Sequence, residues 1–501
     1  MTATTSAAGA RPAARLRLAV TLIVFVGLAA AALSVERAWL ALVQPLWFDE
    51  AWTLSVATTP DWKSFVAEAY NDVNAPLYYA LMRLWAMIAG PSDLALRLPG
   101  LLAVIAAGLI PLASRIKGLS LEARLTWGVT IFGWWGVGVF LNGRCYGPLL
   151  ALSVLQAIAF ASLLERPSRR NAWLWCGLAA AAILTQYMAA IPAAAQGLVY
   201  LAARRKQAVR TWPALLAFAP MLGWMAFHAP RLREFSGADV AWHPLVTAET
   251  AMQFTAFIVN PSTPLGLPLA VGLIAATLLM APRSPPKPKA EPDPAGHLWL
   301  VAGAAVAGLA LMLIFGALRP SLTGRYLIPL APGLLLGLVL CARRAAHPRL
   351  AYAALMALYL GAALWPRSLI AGRYEGAPYG YEQASATLMK HGVTHVAFVW
   401  DHEATRIEAP ASLERAGGAF FRRAGDPVAV TPVITRPDRD ANPLVLAAAS
   451  GPHPGIIWIY NRRGATSARS FPPRIQALDP RWTCEQVGDS EIGNLGCWRA
   501  P

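Results

Sequence analysis

The sequence predicts a mainly α fold, a polytopic bundle of about eleven transmembrane helices. Interfacial helices are expected in its first external loop, and a small soluble α/β domain at its C-terminus. Three observations predict this. Hydrophobic residues make up 56% of the 501-residue chain and charged residues only 14%, short of the roughly one quarter usual in soluble domains. The apolar residues fall in stretches long enough to cross a bilayer. Lys and Arg gather at the ends of those stretches, on alternate connections. The net charge of +16 therefore serves topology, and nucleic acid is excluded as a partner.

Taken in order, the chain opens with Arg11, Arg15 and Arg17 before an apolar stretch at 18–36. Ala29 to Ala32 offers small residues for cleavage, but the length of the stretch and the spans that follow favour an uncleaved signal anchor. Its N-terminus is placed in the cytoplasm. Residues 37–93 then form a large external loop. Within it the segment 76–89, PLYYALMRLWAMIA, is apolar enough to be taken for a span. Counting it would invert every later connection, and it is short, rich in Tyr and Trp, and holds Arg83. An interfacial helix resting on the outer leaflet fits better.

A helix needs about 20 apolar residues to cross the hydrocarbon core. That rule places further spans near 94–114, 125–142, 146–164, 172–187, 189–203, 212–228, 264–281, 298–318, 325–342 and 350–369. The basic clusters Arg115/Lys117/Arg124, Arg166/Arg169/Arg170, Arg204/Arg205/Lys206/Arg210, Arg283/Lys287/Lys289 and Arg343/Arg344/Arg349 then all fall on the cytoplasmic side. Residues 282–296 read as a Pro-rich cytoplasmic linker. Residues 229–263 form an external loop with Arg231, Arg233, Trp242, His243 and Glu249.

The chain divides into a membrane domain, 1–370, and an outer α/β domain, 371–501. In the second, 380–391 reads as a helix stopped by Gly392. VAFVW (396–400), VAVTPVI (428–434) and IIWIY (456–460) read as strands, and no catalytic motif is seen. Cys484 and Cys497 lie here. In an oxidising compartment they could close a small loop, worth roughly 3 kcal/mol in the chain-entropy model; two free thiols are the alternative. Cys176 and Cys341 fall within spans and read as core residues.

Candidate chemistry gathers on the outer side. Asp49 and Glu50 stand in WFDEAW, flanked by Trp47, Phe48 and Trp52. Two acids beside hydrocarbon are costly unless used, although they could simply cap the next helix. Asp72 follows in NDVNAPLYY, with Pro76 suited to a first helical turn. Arg97 (RLP), Arg144 and Tyr146 (NGRCYG), and Arg325 and Tyr326 (GRYLIP) stand at outer ends of spans. Each Arg alone reads as a snorkelling anchor, but four outward regions bring Arg or acid to one depth. Carboxylates and arginines at a lipid surface suit a sugar carried on a lipid phosphate. Arginine binds phosphate bidentately, and a carboxylate can act as general base. Inverting transfer needs one base opposite the leaving group.

These residues carry a resemblance. The chain is similar to the GT-C superfamily of integral-membrane glycosyltransferases, close to the protein O-mannosyltransferase and aminoarabinose lipid A transferase group. The first-loop acids match Asp49-Glu50, and the D-x-H-P-P-L-Y-Y-like stretch matches DVNAPLYY, Asp72 to Tyr79. The R-L-P, R-x-Y and R-Y-L-x-P elements match Arg97–Pro99, Arg144–Tyr146 and Arg325–Pro329. The likeness spans roughly 15–370. Asn74 and Ala75 replace the family's His-Pro, and TQY (185–187) replaces T-H-Y, so any role of those histidines is altered here.

The resemblance implies transfer of a sugar from a polyprenyl-phosphate donor to an extracytoplasmic acceptor: a glycolipid, a polysaccharide or a protein. Asp49 would be the base or would position the acceptor. Glu50 and Asp72 would support it, with a divalent metal held by Asp49 and Glu50 as one way. Asn74, Tyr78, Arg97, Tyr146 and Tyr326 join the implied substrate site, and Arg144 and Arg325 would hold the donor phosphate. Membrane lipids are its other partners, and a bacterial inner membrane, with the C-terminal domain periplasmic, is the implied location. A transporter or flippase of lipid-linked sugars is the alternative; it would place ionisable groups nearer mid-membrane. An O-antigen ligase or polymerase would place its key arginines in one late external loop.

Overall fold

The computed structural model describes residues 48–134, 142–235, 245–259, 293, 295–345, 347–364, 381–401, 410–423, 428–435, 445–447, 449–460, 465–488 and 493–500. The expected spans at 18–36 and 264–281, nearly all of the linker at 282–296, and Trp47, Trp242 and His243 lie outside them.

Among the described residues three short helices come first: α1 (Phe48–Ala57), α2 (Trp62–Asn71) and α3 (Pro76–Ala89). Asp61 starts α2 by accepting the Ser64 amide at 2.8 Å, an N-cap bond. Pro76 starts α3, where its missing N–H costs nothing. With 14 residues, α3 is about 21 Å long, too short for a bilayer core of about 30 Å. Leu81, Leu84, Met87 and Ile88 are exposed on it, an apolar face suited to a membrane surface. Arg83 turns inward instead. Its Nη1 donates to the Thr59 carbonyl at 2.5 Å and the Thr59 hydroxyl at 2.7 Å, and its guanidinium lies 4.9 Å from the Trp62 ring centroid. This locks the α1–α2 turn onto α3.

The long helices follow: α4 (Asp93–Ala113), α5 (Leu121–Trp134), α6 (Tyr146–Glu165), α7 (Arg169–Thr185), α8 (Ala190–Thr211) and α9 (Ala219–Phe235). After them come α10 (Ala248–Val259), α11 (Gly296–Leu318), α12 (Ala331–Arg343) and α13 (Pro348–Leu364). Among the described residues four helical stretches are long and apolar enough to cross a membrane: α4, α6, α11 and the run Gly324–Arg343 that ends in α12. Leu102, Ile105 and Leu109 on α4, and Val306, Ile314 and Leu318 on α11, are exposed. Such an outward apolar face suits lipid rather than water.

Helices α4 and α6 cross closely because both are bare at the crossing. A Cβ on Gly147 would stand 2.7 Å from the Gly100 carbonyl oxygen and 2.9 Å from its Cα. Arg97 and Arg144 each lie three residues before those glycines, so the crossing brings both arginines to one end of the bundle.

The C-terminal part is a five-stranded mixed sheet of order β2-β1-β3-β5-β4. Its strands are β1 (His395–Asp401), β2 (Ala429–Thr435), β3 (Pro454–Tyr460), β4 (Trp482–Gly488) and β5 (Gly493–Arg499). Both β2 and β3 run parallel to β1, whereas β5 is antiparallel to β3 and to β4. Helices α14 (Tyr381–Lys390), α15 (Pro410–Arg423) and α16 (Ala465–Leu478) accompany it. The expected helix before Gly392 is α14, and Gly392 has the left-handed φ of 69° that ends it. Alternate strand residues face opposite ways. Val396, Phe398, Ile457 and Ile459 join the core shared with the helical bundle, while Ala397, Val399, Ile456 and Trp458 pack with Phe471 and Ile475 of α16. Cys484 and Cys497 are direct cross-strand partners on β4 and β5 and form a disulfide. Helix α15 packs against α1, and Arg415 forms an ion pair with Glu68 of α2. The sheet is thereby tied to the helices that carry the acids.

Candidate active site

Consecutive helical residues point about 100° apart, so Asp49 and Glu50, both in the first turn of α1, diverge. Glu50 points in and is fully buried. Its Oε1 accepts from Arg97 Nε at 2.8 Å and from the Gly143 amide at 2.6 Å, and its Oε2 accepts from Arg97 Nη2 at 2.6 Å. This bidentate pair, with Arg97 itself 1% exposed, joins α1, α4 and the turn before α6.

Asp49 points out, with 31% of its side chain exposed. Its carboxylate lies 3.7 Å from Arg144 Nη2, and its carbonyl accepts from Arg144 Nη1 at 3.2 Å. Arg144 is buried, and its Nε has no hydrogen-bond partner among the described residues.

Trp52, three residues after Asp49 and so on the same face of α1, donates from Nε1 to Asp72 Oδ2 at 3.2 Å. Asp72 closes α2 through its amide, which donates to the Glu68 carbonyl at 3.1 Å. Its carboxylate also accepts from the Val73 amide at 2.6 Å, from Asn74 Nδ2 at 3.1 Å and from the Tyr79 hydroxyl. The same hydroxyl stands 3.5 Å from Arg144 Nη1. Burial, and then the Asp72 charge, push the Tyr79 phenol well above its ordinary value, so it stays a donor. One polar chain thus runs from Asp49 through Arg144 and Tyr79 to Asp72 and Trp52.

Arg325 enters from the 3-10 segment Gly324–Leu330. Its guanidinium stands 5.8 Å from the Tyr146 ring centroid and 5.9 Å from that of Tyr326, within cation–π range. Its Nε is buried without a hydrogen-bond partner among the described residues, and it lies within electrostatic reach of Asp49 and Arg144. One accessible carboxylate thus stands beside Arg144 and within electrostatic reach of Arg325. That arrangement can take a proton from a nucleophile and grip an oxyanion beside it.

The residues singled out in the sequence separate into two groups. Asp49, Asp72, Asn74, Arg144, Tyr146, Arg325 and Tyr326 come together. Glu50 and Arg97 are spent on each other beneath them, and Tyr78 is buried beside Tyr79, ring centroids 6.2 Å apart. Glu50's oxygens already accept from Arg97 and Gly143, so the Asp49–Glu50 pair does not fit a cation. Among the described residues no three His, Cys, Asp or Glu side chains group as metal ligands. The structure adds Tyr79, Trp52 and His228 as partners of Asp72. Tyr79 lies within the quoted DVNAPLYY stretch, and Trp52's i+3 spacing from Asp49 was a usable signal.

No family model and no curated protein matches the chain. Among solved structures, ArnT from Cupriavidus metallidurans in its apo state matches with a TM-score of 0.57. The match covers 96% of this chain and 97% of that one, at 14% identity. At that identity the likeness is one of fold, and it extends through the C-terminal sheet. The match shows an ArnT-like fold over nearly the whole chain, in line with the helical membrane architecture expected from the sequence.

Proposed function

We propose that this chain is a membrane glycosyltransferase that moves a sugar from a polyprenyl-phosphate donor to a nucleophile outside the cytoplasm. The ArnT-like fold supports lipid-linked sugar transfer in general. The observation that carries the reading to residues is the partly exposed Asp49 carboxylate beside buried Arg144. Asp49 accepts the proton of the acceptor nucleophile as that atom attacks the anomeric carbon. The bond to the donor phosphate breaks on the opposite face, and Arg144 and Arg325 stabilise the departing phosphate. Tyr146 and Tyr326 each hold Arg325 by a cation–π contact. Tyr79 and Asp72 brace Arg144, and Asn74 braces Asp72. Glu50 and Arg97 fix α1 against α4 and the Gly143 turn, so that Asp49 faces outward.

The same reading places about eleven spans in a bacterial inner membrane, with a cytoplasmic N-terminus and residues 371–501 periplasmic. The described helices suit it: the polar chain gathers at one end of the bundle, not at mid-depth, which favours chemistry at an interface over transport.

The test is transfer by the purified protein from radiolabelled polyprenyl-phosphate sugars to candidate acceptors. Asp49→Asn is expected to lower the rate by about 10²- to 10⁴-fold, the usual worth of a general base. An unchanged rate in that variant would remove Asp49 from the chemistry. Labelling from outside of a cysteine placed at position 380 checks sidedness, and failure to label overturns it.

A further inference from the structure

Helix α2 ends directly at Asp72, and the last carbonyls of a helix have no partner within it. Here a neighbouring helix supplies the partners. Trp224, His228 and Arg231 lie four and three residues apart on α9, one face of that helix. His228 Nε2 stands 2.9 Å from the Tyr70 carbonyl oxygen and 2.8 Å from that of Asp72. Arg231 Nε donates to the carbonyl between them, that of Asn71, at 3.0 Å.

The other imidazole nitrogen is also held. His228 Nδ1 is 2.7 Å from the Tyr187 hydroxyl, and Trp224 Nε1 donates to that hydroxyl at 2.7 Å. The ring is fully buried, with the rings of Tyr70, Tyr187 and Trp224 at centroid distances of 5.6, 5.9 and 5.6 Å.

Donor logic fixes the tautomer. Carbonyl oxygens only accept, so Nε2 carries the hydrogen. Trp224 only donates, so it fills a lone pair of the Tyr187 oxygen, and the Tyr187 hydroxyl is directed at Nδ1. A continuous relay results, from Trp224 through Tyr187 and His228 to the backbone of Asp72.

We infer that His228, its tautomer set by Tyr187 and Trp224, is a positioning residue for Asp72 and so for the Tyr79–Arg144 side of the transfer site. This rests on the proposed transfer reaction for its kinetic consequence but not for its structural one. His228 touches no reacting atom. Its effect passes through the path of the Tyr70–Asp72 backbone, from which the Asp72 carboxylate hangs.

Three substitutions separate this role from simple packing. His228→Phe keeps the bulk and loses the donor. His228→Gln returns an amide N–H near the place of Nε2. Tyr187→Phe keeps the bulk but releases the tautomer. The expected order of kcat is wild type, then His228→Gln close to it, then Tyr187→Phe, then His228→Phe. The last is lowered up to about 100-fold, the scale of a one-ångström misplacement, with KM for the donor little changed. Equal loss in His228→Gln and His228→Phe, or an unchanged kcat in both Phe variants, overturns the proposal.

Amide hydrogen exchange of residues 70–74 gives a readout without transfer. Protection kept in His228→Gln and lost in His228→Phe supports the relay even if no sugar is moved. Equal protection in both refutes it even if Asp49→Asn is inactive. Nitrogen-15 spectra of labelled histidine add a direct check: a protonated Nδ1 on wild-type His228 also refutes it.

Discussion

Two polar clusters lie within one turn of α1, and they are built on opposite principles. In the closed one, Glu50, Arg97 and the Gly143 amide satisfy one another with no access to solvent. In the open one, Asp49 keeps 31% of its side chain exposed and touches Arg144 only at 3.7 Å. A carboxylate that must exchange protons cannot also be fully committed to hydrogen bonds, and a carboxylate that must hold three elements together has to be. Adjacent acids on a helix can divide these tasks because the helix turns them about 100° apart.

The comparison breaks most visibly at Arg97. Arg97→Ala takes the paired guanidinium away from the buried Glu50 carboxylate, and a loss of about 3–5 kcal/mol in unfolding free energy is expected. Thermal or denaturant unfolding in detergent would measure it. Were the loss no larger than for Arg144→Ala, the closed cluster would not be the structural one. Replacing both partners, Glu50→Met with Arg97→Met, should cost less than Arg97→Ala alone, since no charge is stranded. Tyr79→Phe removes a hydroxyl from Asp72 and Arg144 and should cost about 1 kcal/mol. Asp49→Asn should alter stability by no more than about 0.5 kcal/mol while it lowers the transfer rate by about 10²- to 10⁴-fold. A destabilisation as large as that of Arg97→Ala would instead make Asp49 part of the scaffold.

The two clusters also differ in how much of them can be read in the sequence. Both acids and the three arginines, Arg97, Arg144 and Arg325, declare themselves as charged residues at the ends of apolar runs. Which acid is buried does not, because it depends on where α4 and the Gly143 turn arrive, and these are distant in sequence. Helix limits were legible to within a few residues wherever a Pro or Gly marks them, as at Pro76 and Gly392. The hairpin β4–β5 was not. TCEQVG and NLGCWR mix polar residues and glycine, and their pairing draws on β3 and the Cys484–Cys497 bridge rather than on local apolar pattern. Helix α16 was hidden by Pro472 and Pro473 in its interior. His228 was invisible for another reason. It closes an expected span as a lone histidine, and its partners are carbonyls, which no sequence pattern displays.

The Gly100–Gly147 crossing has a further meaning once the two clusters are set side by side. Arg97 on α4 and Arg144 in the turn before α6 each lie three residues from it, with different partners. The two missing methyl groups act as a gauge block between Arg97 and Arg144. A single alanine at 147 would enter the space of the Gly100 backbone and prise the two apart. The spacing of the site is therefore written in the absence of atoms, several ångströms from any group that reacts.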